Sequence, residues 1–512
     1  MNKKKISPEI VEVLDTTLRD GEQTEGVSFS AQEKLLIAQK LLKDVKVDRI
    51  EIASALVSGG EQEACRGIFS WAKKEGMLER IEVLGFVDIA RSVDWISEAG
   101  GKCINLLCKG SEKHCLGQLK KKPEEHFEDI RKTVGYAKSK DFIVNAYLED
   151  FSNGFQESKE YANSLIEVLV KTGVERVMLP DTLGILSPEQ TKKFVSEIVS
   201  NFPNQKFDFH AHNDYGLATA NSLEGVLAGA SGVHCTVNGL GERTGNAALE
   251  EVVVCIHDFS GKRTNVSEAS LASVSKMVEI FSKQRVSRNK PIVGQTVFTQ
   301  TAGIHADGDK KGNLYRSTLS PERFERKTIY ALGKLSGKSS IELALREFGI
   351  TLDKETLSMV LKRVIELGAK KEIVTKEDLL FIIDEAKKEE REKLFSIVNY
   401  EIKSSSNGKP FAKIEVSLRG KKFEEFSEGD GGYDAFMNAL RKIFAKNGTG
   451  FPELADYEVR IPVGGKTDAL VETKISWKMG GKNIETTGVS TDQMDAAVKA
   501  TAKMINIFLR FV

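Results

Sequence analysis

The sequence predicts an α/β protein: a (β/α)8 TIM barrel, then helical linker subdomains, then a C-terminal α+β domain. Three observations predict it. Between Glu9 and about Ser260, short β-rich runs alternate with longer amphipathic helical stretches. No GxGxxG follows the first β run, which disfavours an open dinucleotide-binding sheet. After about Phe395 the apolar period returns to two, as in a separate sheet-containing domain.

The β-rich runs occupy 10–17, 48–54, 80–86, 102–108, 142–150, 174–180, 206–212 and 233–239. The stretches between them, such as AQEKLLIAQKLLKDV and PEQTKKFVSEIVSNF, carry helical periodicity, and several begin after Ser, Pro or Asp or end in Gly. About eight βα units in ~250 residues is the spacing of a closed barrel. In such a barrel, chemistry sits at the C-terminal strand ends and side chains lower down fill the interior. After about Asn265 helical segments dominate, and from about residue 395 strand-like runs (FAKIEVSLRG, YEVRIPV, LVETKISWKM) accompany two helices. The expected domains are therefore 1–264, 265–394 and 395–512.

Composition narrows the partners. With 74 basic and 74 acidic residues the formal charge is zero, so no long-range field recruits nucleic acid or an anionic membrane, and a small ligand is expected. No apolar run approaches the ~20 residues that span a bilayer. Six cysteines without a CxxC pair, in a chain whose start lacks an apolar signal core, read as buried thiols of a cytoplasmic protein.

Strand ends supply the candidate site. In FDFHAHN, His210 and His212 stand two apart in a strand-like run and so share a face. They can form half of a divalent metal site if a carboxylate joins them, although such a pair also occurs as a structural or surface feature. Asp20, in the loop DTTLRDGEQ after the first run, can complete that site, and Gly21 allows a tight turn there. Arg19 beside it can polarise a carbonyl or grip a carboxylate with its planar fork of donors. Asn246, in the glycine-rich loop NGLGERTGNAALEE, is a further oxygen ligand or a support for one. Tyr147 and Glu149 share a face of the fifth run, where a carboxylate can serve acid/base chemistry. Thr182 offers a hydroxyl at the same rim or caps the next helix.

Together DTTLRDGEQ, LPDTLG, HAHNDYGLA, NGLGERTGN and GIHADG (Gly303–Gly308) resemble motifs of the isopropylmalate, homocitrate and citramalate synthases, and the likeness runs from about Val13 to the C-terminus. It is greatest to the citramalate synthases of the Leptospira type. The resemblance implies that Asp20, His210 and His212, with Asn246, bind a divalent metal. It implies that a 2-oxo acid chelates that metal, helped by Arg19 and Thr182, while the acetyl-CoA enolate attacks the ketone and thioester hydrolysis releases CoA. Glu149 matches a family acid/base carboxylate. His305 and Tyr315 match residues reached from the neighbouring subunit, implying a homodimer. A ligand set of His, Asp and water suits Mn2+, Zn2+, Co2+ or Mg2+.

The 2-oxo acid side chain is expected against Leu84, Leu107 and Tyr147, near the ends of the third, fourth and fifth runs. All three are bulky and none offers a cation for a second carboxylate, so pyruvate is the expected substrate, with citramalate as product and isoleucine biosynthesis as the setting. 2-Isopropylmalate synthesis from 2-oxoisovalerate is the alternative, followed by a lyase of the same superfamily and by a non-catalytic metabolite sensor. In the C-terminal domain, Tyr433, Asp434, Leu454, Tyr457, Ile461 and Val471 are expected to enclose an effector amino acid, isoleucine for a citramalate enzyme; a purely dimerising domain is the other reading.

Overall fold

In the computed structural model the described residues are 9–312, 314–315, 317–346, 349–369, 374–376, 378–387, 394–405, 408–460, 471–479 and 482–511. They divide into two compact units, Met1–Phe298 with Ser317–Lys327, and Thr299–Arg316 with Thr328–Val512.

The first unit is a closed barrel of parallel strands in sequence order: β1 (Glu12–Asp15), β2 (Arg49–Ser54), β3 (Ile81–Phe86), β4 (Cys103–Lys109), β5 (Ile143–Glu149), β6 (Arg176–Asp181), β7 (Lys206–Ala211) and β8 (Gly232–Cys235). Each falls within or overlaps its expected run. The surrounding helices start where the sequence provides an oxygen for their unpaired amides. Ser30 and Ser187 form capping boxes with Glu33 and Gln190. Alternate strand residues pack outward under the helices into one apolar core containing Val83, Ile104, Val177, Phe207 and Phe209. Leu271, Val274 and Val278 of the helix Leu271–Ser282 join the same core.

The lower interior differs from the expected passive filling. It is polar and ionic: Arg49 pairs with Glu82 and Asp208, Arg176 pairs with Asp208 and Glu12, and Asn105 donates to Glu51 and Glu82. The cause is strand parity, since Arg49 and Glu51, or Asp208 and His210, alternate with apolar outward neighbours and must project inward. Five of the six cysteines are buried and all six are free.

In the second unit, the helices Lys338–Arg346, Lys354–Ala369 and Asp378–Ala386 share a small core around Ile341, Leu357, Val360 and Leu379. Two three-stranded antiparallel sheets follow. One comprises Phe395–Ser405, Gly408–Leu418 and Lys421–Glu428, the other Glu453–Arg460, Val471–Met479 and Lys482–Ser490. Apolar faces of the helices Gly432–Lys446 and Gln493–Phe511 cover them. No helix among the described residues is long and apolar enough to cross a membrane.

Candidate active site

β1 and β7 lie on nearly opposite stretches of the sequence, yet only β8 separates them around the closed barrel. That closure brings Asp20, in the turn after β1, to the imidazoles at the end of β7. Ligand atoms of Asp20, His210 and His212 all lie within 4.8 Å of one another, and all three residues are buried. His210 Nε2 is 3.4 Å from Asp20 Oδ2. Two donors ~2.1 Å from one cation at a right angle stand ~3 Å apart, so the spacing suits a shared ion.

The unsatisfied atoms make the same point. Both Asp20 carboxylate oxygens, Nδ1 of His210 and of His212, and Oδ1 of Asn246 are buried without a hydrogen-bond partner. Orphaned buried polar atoms are costly, and the Asp20 carboxylate, within reach of a ring nitrogen of each imidazole, is what a cation would satisfy. Asn246 donates its amide nitrogen to the Leu240 carbonyl at 3.0 Å, which leaves its oxygen as the free end. Burial, with His212, His234 and Arg19 nearby, holds the His210 imidazole well below its ordinary pKa; burial also lowers His212. Both rings are thereby kept in the neutral form that binds a metal.

The glycines here serve the chain's own packing. Gly21 is not in the left-handed region; a Cβ on it would stand 3.3 Å from that of Leu240, so it permits close approach rather than an unusual turn. Gly241, at φ +159, leaves room for Asn246, whose amide nitrogen would lie 2.2 Å from an added Cβ. Arg243 ties the rim together by donating to both Asp214 oxygens and to the Thr182 carbonyl at 2.8 to 2.9 Å.

Arg19 stands beside the cluster with its donors already aimed. Nε donates to Glu51 at 2.6 Å, one terminal nitrogen is 3.2 Å from Asp20, and the other donates to the Tyr147 hydroxyl at 3.3 Å. Burial alone would lower the guanidinium, but the Asp20 and Glu51 carboxylates outweigh it and raise its pKa. Thr182 does not cap the next helix, because Ser187 does so. Instead its Oγ1 accepts from the Asp150 amide at 2.9 Å, leaving the hydroxyl proton to be donated elsewhere. Glu149, at the end of β5, is ion-paired with Lys109 of β4, its direct register partner.

The three expected pocket residues come together. Leu84, Tyr147 and Met178 pack with Leu14 in one apolar cluster, and Leu107 packs against it. Sequence reasoning missed Leu14 and Met178, and it missed Glu51, Lys109 and His234, which touch Arg19, Glu149 and Tyr147. The findable signal was inward parity on strands already identified.

His305 and Tyr315 belong to the second unit, with ring centroids 4.2 Å apart. Tyr433 and Asp434 open the helix Gly432–Lys446, and Leu454 and Tyr457 lie on the strand Glu453–Arg460. The Tyr433 and Tyr457 rings are 5.1 Å apart, and the Tyr433 hydroxyl meets Thr501 at 2.7 Å. Asp434 accepts from the Asp430 amide and from Asn438, both at 3.1 Å. Val471 is buried, and Ile461 lies outside the described residues.

A parallel barrel with two imidazoles and a carboxylate converging at the C-terminal strand ends defines a barrel suited to holding a divalent metal. The HMGL-like family matches residues 10–278, and the chain belongs to that family. The homocitrate synthase post-HMGL domain-like family matches 292–372, and the LeuA allosteric (dimerisation) domain matches 373–509. Among curated relatives, the (R)-citramalate synthase of Methanocaldococcus jannaschii is 35% identical over 506 residues, covering 98% of this chain and 100% of its own. The 2-isopropylmalate synthase of the same organism is 32% identical over 509 residues, covering 98% and 95%. Among solved structures, the HMG-CoA lyase of Bacillus subtilis aligns with 55% of this chain and 97% of its own, at 23% identity and TM-score 0.49.

Proposed function

We propose that this chain condenses acetyl-CoA with pyruvate and water to (R)-citramalate and CoA, as a cytoplasmic homodimer inhibited by isoleucine. Relatives named for citramalate and for isopropylmalate synthesis match over nearly equal lengths at nearly equal identity, so identity does not choose between them. The observation that carries the choice is the apolar cluster of Leu14, Leu84, Tyr147 and Met178 beside Arg19. A larger pocket loses only ~1–3 kcal/mol for a missing methylene, so preference for the smaller acid has to come from filled space.

In this reading Asp20, His210, His212 and Asn246 hold the divalent metal, which when bound supplies Lewis acidity toward the ketone and a template for the 2-oxo acid. Arg19 meets the ketone oxygen and offsets the negative charge that develops there as the carbon–carbon bond forms. The Thr182 hydroxyl donates to the substrate carboxylate. Glu149 takes part in moving the methyl proton of acetyl-CoA. The partner subunit supplies a second copy of His305 and Tyr315 to each site, and water then cleaves the thioester to release CoA.

Free-thiol release from acetyl-CoA with pyruvate, 2-oxobutyrate, 2-oxoisovalerate and 2-oxoglutarate is the test. The highest kcat/KM is expected for pyruvate. A higher value for 2-oxoisovalerate would reassign the chain to isopropylmalate synthesis, and cleavage of a hydroxyacyl-CoA without condensation would make it a lyase. Calorimetry of the full chain with isoleucine and leucine tests the regulatory half, with isoleucine expected to bind and leucine to bind more weakly. The residues proposed to enclose it are Tyr433, Asp434, Leu454, Tyr457, Ile461 and Val471.

A further inference from the structure

Tyr147 is anchored at both ends, and its far anchor has no part in the chemistry described above. The ring lies in the apolar cluster, edge-on to His234 with centroids 5.4 Å apart. Its hydroxyl is 3.0 Å from His234 Nδ1, 3.3 Å from an Arg19 terminal nitrogen and 3.4 Å from Glu51 Oε2. Arg19 can only donate, so the hydroxyl oxygen accepts from it and sends its proton to another group. The nearest acceptor is His234 Nδ1.

That assignment fixes the histidine as well. With Nδ1 accepting, the ring hydrogen sits on Nε2, which lies 3.4 Å from Asp208 Oδ2. Asp208 is fully buried and accepts from Arg49 at 2.5 Å and from Arg176 at 2.6 Å, so both of its oxygens face guanidinium donors. An ionised carboxylate there accepts and cannot donate. The result is one directed chain through the barrel interior: Asp208 accepts from His234, His234 from Tyr147, and Tyr147 from Arg19. All of its members are on the inward faces of β7, β8 and β5 or in the turn after β1. His234 is about 1% exposed and reaches no solvent.

We infer that His234 is a positioning residue for substrate selection, holding the Tyr147 ring upright in the pocket wall and turning its hydroxyl oxygen toward Arg19. The inference rests on the reading of Tyr147 as a wall of the 2-oxo acid pocket. The apolar cluster packs the Tyr147 ring, and the hydrogen bonds at its tip, the shortest of them to His234 Nδ1, add to the restraint on its χ1. Loss of the tip bond lets the ring swing from the substrate side and admits a longer 2-oxo acid. Arg19 loses a hydrogen-bond partner at the same time.

The experiment compares kcat/KM for 2-oxobutyrate against pyruvate in purified full-length His234→Leu, His234→Asn, Tyr147→Phe, Tyr147→Ala and the His234→Leu/Tyr147→Phe double variant. Metal content and thermal melting are read alongside. His234→Leu and Tyr147→Phe are each expected to raise the 2-oxobutyrate-to-pyruvate ratio about fivefold, the size of one lost buried hydrogen bond. The double variant is expected to go no further than Tyr147→Phe alone, because that change already removes the bond that His234 makes. His234→Asn, whose side-chain oxygen can replace Nδ1 as acceptor, is expected to keep the ratio within about twofold of the parent. Should His234→Leu misfold, Tyr147→Phe deletes the same bond, together with the hydroxyl's contacts to Arg19 and Glu51, without disturbing Asp208, and the comparison with His234→Asn isolates the His234 share. A parental ratio in Tyr147→Phe, with Tyr147→Ala broadened, would overturn the role of His234 while leaving the pocket intact. A parental ratio in Tyr147→Ala would instead remove the pocket reading and this inference with it.

Discussion

Leu84→Ala tests the pocket most directly. Leu84 is 6% exposed at the end of β3 and packs with Leu14, Tyr147 and Met178, so the truncation opens space where the 2-oxo acid side chain is proposed to lie. One extra substrate methylene buried in that space is worth ~0.8 kcal/mol from apolar transfer alone, and relief of overpacking adds ~1–3 kcal/mol. The combined effect of ~1.8–3.8 kcal/mol corresponds to a rise of about 20- to 600-fold in the 2-oxobutyrate-to-pyruvate ratio of kcat/KM. Pyruvate itself, with only a methyl group, should lose no more than about tenfold. The same change costs ~2–4 kcal/mol of barrel stability, because the cavity is lined by residues that cannot fully collapse. Steady-state thiol release with both acids, paired with urea unfolding to confirm a folded enzyme, reads all three quantities. A folded variant whose ratio moves by less than threefold would refute the idea that Leu84 sets substrate size.

Three further outcomes follow from the same geometry. Chelation of the purified enzyme is expected to abolish activity and lower the melting temperature, with both restored by Mn2+ or Zn2+; His210→Ala should bind neither metal while keeping the barrel's circular dichroism, and undiminished metal content would contradict the site. Asp208→Asn removes the carboxylate between two buried guanidinium groups and should cost ~3–5 kcal/mol of barrel stability in urea; a loss below ~1 kcal/mol would show those arginines to be otherwise compensated. His126 accepts the Lys109 amide at 3.2 Å, and burial, then Lys121, pushes its pKa down to about 4 from 6.5. Its unfolded form therefore binds more protons between those values, so its stabilisation is fully present above pH ~6.5 and is lost as pH falls towards 4, by ~3 kcal/mol in all. Urea midpoints across that window should fall less steeply in His126→Gln than in the parent, and parallel slopes would refute it.

The barrel was legible because its strands announce themselves twice, by β-rich composition and by the helices spaced between them. The cluster of Asp20, His210 and His212 was legible because HAH is a period-two signal and Asp20 follows β1, which closure of the barrel brings within one strand of β7. The ionic interior was legible in principle but overlooked. In KFDFHAH the same parity that selects His210 and His212 selects Asp208, and in DRIEIAS it puts Arg49 and Glu51 on the inner face. A single inward Arg or Glu reads as a solvated residue until the neighbouring strand is known, and separations such as the 159 residues between Arg49 and Asp208 hide the partner. His234 was hidden for the same reason, since its meaning depends on Tyr147 lying across the barrel, 87 residues away in the chain.

The ionic interior also bears on why a barrel of this kind does not fill itself with aliphatic side chains. Buried ion pairs contribute little net stability, because desolvation offsets most of their attraction, and an apolar replacement of equal volume is often neutral or better. Their contribution here is direction. Arg49 reaches Glu82 on β3 and Asp208 on β7, Arg176 reaches Asp208 from β6, and Asn105 joins Glu51 to Glu82, so these side chains fix one another's orientation. Apolar packing would hold the same strands but could not aim Glu51 at Arg19 Nε or His234 at the Tyr147 hydroxyl. In the proposed reaction, a guanidinium that offsets charge at one ketone oxygen gains from being oriented before substrate arrives, since reorientation during the reaction would raise the barrier. On the proposed reading the lower half of the barrel acts on the chemistry through Glu51 and His234, and an all-aliphatic redesign of Arg49, Glu82, Arg176 and Asp208 should keep the fold while losing kcat more than affinity for pyruvate in steady-state thiol-release assays.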